Sequence, residues 1–168
     1  MKADKLLVAL IALVMVFACS KEEVKLRYSR QEQNIESFVN STLKSVDTAY
    51  VVYNKGVTRL VVVPGEGDSL SVNGTVNASD MFATNSEEVA KGSGWTLSDD
   101  SAFEVKTVKL SESGFVKGLK YGLEGVKAGQ ECYILFSGKY GFGKRELGTI
   151  PANSALVYRI WVESVSND

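Results

Sequence analysis

The chain has 168 residues, of which 45% are hydrophobic and 23% are charged, and it contains no histidine. This length and apolar content are enough for one folded domain with an appendage. The formal net charge is −1, so the chain lacks the basic field that attracts nucleic acid, and we predict no nucleic-acid partner. Histidine is the commonest acid–base residue and a usual zinc ligand, so its absence removes both of these chemistries. The sequence also has no metal-ligand spacing and no phosphate-binding loop, and we predict no metal site and no cofactor.

Residues 1–18 have the pattern of a secretory signal peptide. Lys2 and Lys5 precede an unbroken apolar stretch of 13 residues that ends at Ala18, which is too short for an ordinary transmembrane helix. The stretch runs into Val16-Phe17-Ala18-Cys19, which resembles a bacterial lipobox, and this implies that Cys19 is lipidated. We therefore predict a lipoprotein that its lipid holds at a membrane. The alternative is an ordinary signal peptide followed by an incidental cysteine.

The residues after Cys19 bear on where such a lipoprotein is sorted. Ser20 is not the Asp that resembles an inner-membrane retention signal, so the outer membrane is favoured. The segment Ser20-Lys21-Glu22-Glu23 also resembles the export signal of surface lipoproteins in one group of Gram-negative bacteria, although a solvated tether has the same composition. We predict an outer-membrane lipoprotein that faces the periplasm or the cell surface, with residues 19–28 as its lipid-anchored tether.

An N-terminal extension follows at residues 29–56. Ser29-Arg30-Gln31-Glu32 has capping-box spacing, in which a hydroxyl and a carboxylate satisfy the first free amides of a helix. Beyond it, apolar residues recur at helical spacing, which predicts a helix over about 30–45: Ile35, Phe38, Val39 and Leu43. One apolar stripe favours packing on the same domain, with dimerisation as the alternative, so the oligomeric state stays open.

Two strands are predicted next, at 50–53 and 57–63, joined by the loop Asn54-Lys55-Gly56 with glycine where positive φ is expected. A further strand is predicted at 70–76, with Gly74 as a bulge or close contact. Residues 85–94 suggest one helical turn in a loop held down by Trp95, Leu97 and Phe103. A strand is predicted from about 103 to 110.

The segment 114–128 combines helical periodicity with glycines. Apolar residues recur at helical spacing, yet Gly118, Gly122 and Gly125 lie among them, each disfavoured in a helix by roughly 1 kcal/mol relative to Ala. Such a helix needs tertiary support, and a sheet that approaches its glycine side would supply it. Strands follow at 130–136, with Cys132, Ile134 and Phe136 on one face, and at 155–162.

The sequence "VKGLKYGLEGVKAGQECYILFSGKYGFG…GTIPANSALVYRIWVES" resembles the FK506-binding-protein (FKBP) type of peptidyl-prolyl cis-trans isomerase. The likeness covers the glycine-rich helix, the aromatic-x-aromatic-Gly turn, Ile150-Pro151 and the closing strand. It implies an α+β fold: an antiparallel sheet curled around one helix, with an apolar pocket between them and the N-terminal helix as an addition. The FKBP-like domain would span 57–168, with an insertion at about 84–102.

The resemblance also implies the residues of the pocket. Four positions correspond to its catalytic wall: Phe142, Val116, Phe82 and Tyr158. Five more would complete the substrate pocket: Phe115, Leu119, Ile150, Tyr140 and Val72. The chain departs from the family at Phe142, Ala83 and Val72, where members have a tyrosine, an acidic residue and a second tyrosine. The apolar box is therefore kept, while three polar groups are lost.

Two functions follow from this pattern. The first is an isomerase acting on X-Pro bonds of exported or envelope polypeptides, with proline-containing polypeptides as partners. The second is a non-catalytic module that binds apolar peptide segments or an envelope partner. A purely structural role for the aromatic residues is the third interpretation. Cys132, with no histidine to activate it, is predicted to be a buried core residue and not a nucleophile.

Overall fold

The computed structural model of the chain describes the backbone of residues 2–83, 105–147 and 150–167, and the side chains of 21–78 and of the same two later ranges. The insertion predicted at 84–102 lies outside the described residues. So do the helical turn predicted within it, its anchoring residues Trp95, Leu97 and Phe103, and the start of the strand predicted at 103.

Within these ranges, six strands form one sheet in the order β1-β2-β5-β6-β3-β4, and every neighbouring pair is antiparallel. The strands are β1 (Tyr50–Asn54), β2 (Val57–Val63), β3 (Thr75–Ala83), β4 (Lys106–Lys109), β5 (Glu131–Phe136) and β6 (Leu156–Ser166). Helix α1 (Lys2–Ser45) precedes them, and the short helix α2 (Lys117–Leu123) connects β4 to β5. The α+β class predicted from the sequence is confirmed.

The β1–β2 hairpin has a turn of two residues, one fewer than the sequence suggested. Asn54 still pairs with Val57 in the ladder, and the turn consists of Lys55 and Gly56, with φ of 51° and 84°. Two successive positive φ values match the right-handed twist of the strands. The prediction of a positive-φ glycine is therefore confirmed, while the loop length was wrong.

The prediction of a strand at 70–76 was also wrong, because this segment pairs with the sheet only from Thr75 onward. The backbone of Leu70 is already paired with the chain after α2: its N–H donates to the Val126 carbonyl (2.8 Å), and its carbonyl accepts from Gly125 N–H (2.8 Å). A turn follows, in which Gly74 N–H donates to the Ser71 carbonyl (3.1 Å). The apolar alternation at 70–72 thus reflects one buried anchor, Leu70, and not a strand.

Helix α2 is shorter than the segment 114–128 that the periodicity indicated. We had expected Gly125 to lie inside the helix. Its φ of +86° places it beyond the end of the helix. Gly118 and Gly122 are helical, and both approach β5: an added Cβ would lie 2.4 Å from the Phe136 ring and 2.1 Å from Ile134. The prediction that these glycines admit a neighbouring layer is confirmed.

The sheet buries both of its faces. The main core lies between one face and α2 and contains Cys132, Ile134 and Phe136 of β5, together with the alternate residues of β6. This is the alternation that the sequence predicted. On the other face, Ile35 and Val39 of α1 pack with a second cluster, formed by Leu60, Leu135 and Val157. Helix α1 therefore packs on its own domain, as its apolar stripe indicated.

The predicted start of α1 at residue 30 was wrong, since the helix already includes residues 19–29. Residues 21–28 contain neither glycine nor proline, and Glu23 and Arg27 have the i,i+4 spacing that stabilises a helix. Ser29 consequently lies inside the helix and does not cap it. In the part of the chain that the structure describes, no helix is both long and apolar enough to cross a bilayer.

Candidate functional site

A cavity of about 150 Å³ lies between α2 and strands β3, β4 and β6. Eight of its lining residues are apolar or aromatic and one is a lysine: Val76, Ala78, Lys106, Val108, Phe115, Leu119, Leu123, Tyr158 and Ile160. Ligand pockets typically measure about 300–1,000 Å³. A cavity of this size and lining therefore suits one small apolar ring and not a whole large ligand.

Helix α2 provides the floor of the cavity. Leu119 and Leu123, four residues apart, are 5% and 3% exposed and point from α2 into the lining. The same helix turns Gly118 and Gly122 toward β5, where no Cβ would fit. Because these two glycines have no side chain, α2 lies close to the sheet. This close approach sets the distance from the two leucines to the sheet and therefore the depth of the cavity.

Arg59 of β2 holds the C-terminal end of α2. Its guanidinium donates hydrogen bonds to the carbonyls of Gly122 (2.8 Å), Glu124 (2.7 Å) and Gly125 (3.2 Å). Helix ends leave such carbonyls without partners, and a cation there also interacts favourably with the helix dipole. Burial lowers the pKa of Arg59 from its usual value. Arg59 therefore fixes the floor from outside the cavity.

Three of the residues predicted for the pocket line the cavity: Phe115, Leu119 and Tyr158. The Tyr158 ring stacks on Phe136, with centroids 6.1 Å apart and planes 20° apart. Val116, Phe142 and Ile150 are partly buried and pack against the main core, but they are not among the cavity's lining residues. The structure thus brings these six residues to one side of the sheet and places three of them around the cavity.

Val72 was predicted to line the pocket and does not. It follows the buried Leu70 in the turn before β3, and its side chain is 50% exposed. Val76, four residues later and inside β3, lines the cavity instead. Phe82 is paired with Tyr158 in the β3–β6 ladder, and its side chain lies outside what the structure describes.

Tyr140 joins three elements and does not form a cavity wall. Its hydroxyl lies over the β1–β2 turn, where a Cβ on Gly56 would come within 2.1 Å of it. Its carbonyl accepts a hydrogen bond from Gly118 N–H (2.9 Å) near the start of α2. Phe142, two residues later, is covered by the Arg145 guanidinium at 5.8 Å from the ring centroid.

Sequence reasoning missed six residues that line the cavity: Val76, Ala78, Lys106, Val108, Leu123 and Ile160. For the four that lie on β3 and β4, the alternation of side chains along a strand could have indicated which residues face inward. It could not have separated those that border a void from those that fill the core. Arg59 was missed as well, and its one signal is a charge within the apolar segment 57–63.

Cys132 has no catalytic environment. It is 0% exposed in the main core, and burial raises the pKa of its thiol to about 12. Only the thiolate is an effective nucleophile, so this thiol is inert at neutral pH. The prediction that Cys132 is a core residue is confirmed.

The described residues thus form an α+β fold, a six-stranded antiparallel sheet over one short helix with an apolar cavity between them. Residues 72–163, more than half of the chain, match the sequence pattern of the FKBP-type peptidyl-prolyl cis-trans isomerase. The chain therefore belongs to this family, as its sequence predicted. A peptidyl-prolyl cis-trans isomerase of Saccharomyces cerevisiae is 36% identical over 59 residues, which are 35% of this chain and 14% of that protein.

Solved structures agree with this fold. FkpA from Escherichia coli has a TM-score of 0.58 at 19% identity, over 95% of this chain and 70% of that one. The three FKBP domains of wheat FKBP73 give 0.57 at 18% identity, over 71% of this chain and 50% of that one. The N-terminal domain of FKBP42 from Arabidopsis thaliana gives 0.59 at 17% identity, over 70% and 93%. At these identities the likeness establishes the fold.

Proposed function

We propose that the chain is a peptidyl-prolyl cis-trans isomerase that takes the proline ring of a polypeptide into the cavity above α2. The observation that carries this proposal is the cavity itself, an apolar space of about 150 Å³ in a chain of this family. Its proposed substrates are X-Pro bonds of exported or envelope polypeptides.

The reaction asks little of the chain beyond such walls. Isomerisation breaks no covalent bond, and its barrier of ~18–20 kcal/mol comes from the partial double bond of the imide. The twisted imide has lost its resonance and part of its dipole. An apolar, dry environment therefore disfavours the twisted imide less than the planar imide. Only interactions that are stronger in the twisted form accelerate the rotation. Leu119, Phe115 and Tyr158 would supply this environment, and no proton transfer is required.

A non-catalytic binding module is the second candidate, and Phe142 favours it. The family places a tyrosine hydroxyl at this position, and Phe142 has none. The two functions are separated by measuring cis–trans exchange of a short Xaa-Pro peptide by NMR with the purified chain. Acceleration over buffer supports the isomerase. Binding of the peptide without acceleration supports the module.

Phe142→Tyr is expected to raise kcat/KM by about two- to tenfold. The added hydroxyl can donate one hydrogen bond, which contributes about 0.5–1.5 kcal/mol net, and this energy lowers the barrier if the bond forms only with the twisted imide. Phe142→Ala removes half-buried ring contacts and should lower both rate and peptide affinity about fivefold. Leu147→Ala, in the same loop and 48% exposed, is the control. Equal affinity for all three variants would mean that Phe142 only packs.

We also propose that the chain is an outer-membrane lipoprotein, on the grounds of its apolar N-terminal stretch and the lipobox-like segment ending at Cys19. Cys19→Ala is expected to abolish incorporation of labelled fatty acid and to release the protein from the membrane or leave its signal uncleaved. Labelling that persists in this variant would rule out lipidation at Cys19. Alanines at Lys21, Glu22 and Glu23 should reduce cleavage of the protein by protease added to intact cells, with lipidation unchanged.

A further inference from the structure

Residues of α1 bind both ends of the glycine-rich loop that contains Phe142 and Ile150. At the first end, Gly138 N–H donates to the Gln31 side-chain oxygen (2.9 Å). At the other end, the Gln31 side-chain amide donates to the Asn153 carbonyl (2.8 Å). One side chain therefore satisfies a donor and an acceptor that are 15 residues apart in sequence, and we call this arrangement the loop clamp.

The loop clamp is buried and closely fitted. Gln31 is 9% exposed and Asn153 is 8% exposed. The two ends of the loop touch directly, since a Cβ on Gly138 would lie 2.4 Å from the Asn153 carbonyl oxygen. Asn153 N–H also donates to the Gly143 carbonyl (2.5 Å) inside the loop. A polar atom in such a place costs free energy when it lacks a partner, so loss of Gln31 would leave both loop ends unsatisfied.

Neighbouring side chains of α1 support the same two ends. The Tyr28 hydroxyl donates to the Asn153 side-chain oxygen (2.7 Å), and the Ser137 hydroxyl donates to the Glu32 carboxylate (3.2 Å). Asn153 has a φ of +59°, a region that Asn tolerates better than most residues. Hydrogen bonds to its side chain and its carbonyl hold it there. The loop conformation therefore depends on α1, which lies outside the stretch 72–163 that matches the family.

We propose that Gln31 is a positioning residue for the isomerase site, one that fixes the two ends of the loop at Gly138 and Asn153 and thereby the placement of Phe142 and Ile150. This inference rests on the proposed isomerase function. Gln31 is not among the residues that line the cavity, so it would act through the loop. Phe142 and Ile150 pack against the core and do not line the cavity themselves. Because a misplacement of about 1 Å that originates away from the chemistry can still lower a rate strongly, release of the loop from α1 is expected to slow catalysis even when the domain stays folded.

The test compares Gln31→Met with Gln33→Met in the full chain. Both changes replace glutamine by an apolar side chain of similar size, but Gln33 is exposed on the same helix. Gln31→Met is expected to lower kcat about tenfold, with a smaller change in KM, and to speed hydrogen exchange of the Gly138 amide at least tenfold. The Ile134 amide, in the central strand β5, reports global stability and is expected to change far less. Gln33→Met should match the unmodified chain in kcat, in KM and in the exchange of both amides.

The outcomes separate positioning from mere stability. Equal acceleration of exchange at Gly138 and Ile134 would show general destabilisation and overturn the proposal. Unchanged Gly138 exchange, or faster Gly138 exchange with unchanged kcat, would overturn it too. If Gln31→Met does not fold, Gln31→Glu keeps an acceptor for Gly138 but no donor for Asn153 when ionised, and an intermediate loss of kcat is expected; an unchanged kcat overturns the proposal.

Failure of the proposed function is recognised separately. If the unmodified chain does not accelerate cis–trans exchange at all, the isomerase is rejected. Peptide affinity then replaces kcat as the readout. A selective rise in Gly138 exchange accompanied by weaker binding of a proline peptide would retain Gln31 as a positioning residue of a binding site, and unchanged binding would reject it.

Discussion

Replacing Arg59 with methionine is expected to lower the free energy of unfolding by about 3–5 kcal/mol. The guanidinium is buried and donates to three carbonyls at the end of α2. Methionine fills much of the volume but donates nothing, so these carbonyls lose their partner in a place that water reaches poorly. The midpoint of urea unfolding at constant m-value measures the loss.

Arg30→Met is the matched control, because Arg30 is exposed on α1 and surface substitutions usually change stability by less than about 0.5 kcal/mol. Arg59→Lys keeps the charge but not the fork of donors, and should fall between the two. If Arg59→Met and Arg30→Met unfold at the same urea concentration, the cap on α2 does not stabilise the fold as described.

Filling the cavity with Ala78→Phe is expected to lower kcat/KM and peptide affinity at least a hundredfold, which corresponds to about 2.7 kcal/mol. Ala78 lies on β3 in the lining, opposite the α2 leucines. A phenyl ring there would occupy the space proposed for the proline ring. The fold should persist, because the added ring enters an existing void and overpacking typically costs about 1–3 kcal/mol. Activity and unfolding are measured on the same preparation.

Thr107→Phe is the control for this change. Thr107 lies in β4 between the lining residues Lys106 and Val108, so its side chain points to the opposite face of the strand. Thr107→Phe adds the same ring near the cavity, but the ring does not enter the cavity, so activity should change little. An Ala78→Phe protein that stays folded and fully active would show that substrate binds elsewhere.

Much of the fold could be predicted because its signals are local. The alternation in β5 and β6 correctly placed Cys132 and Ile134 on the inner face, and the helical glycines correctly indicated close packing of α2 on a sheet. Of the residues that the family resemblance named for the pocket, Phe115, Leu119 and Tyr158 line the cavity. In each case, neighbours in sequence or a known pattern contained the information.

The remainder depends on contacts between distant segments, which no local pattern records. Gln31 reads as a polar residue on a helix surface, yet its partner Asn153 is 122 residues away. Arg59 reads as an interruption of a strand, and the carbonyls it binds are 63 to 66 residues away. The capping box at Ser29 failed for a different reason, which is local: the signal describes how a helix can start and not whether the preceding residues are already helical.

The continuity of α1 also sets a distance. For a chain lipidated at Cys19, the eight residues of helix from there to Arg27, whose guanidinium donates to the Ala152 carbonyl, would be about 12 Å long. Ala152, at the end of the glycine-rich loop, would then be joined to the lipidated residue by a helical segment of this length. Each residue inserted between Cys19 and Arg27 would lengthen this helical segment by about 1.5 Å and rotate the domain relative to Cys19 by about 100° about the helix axis. Which polypeptides reach the cavity would therefore depend on the number of residues in this stretch as well as on their chemistry.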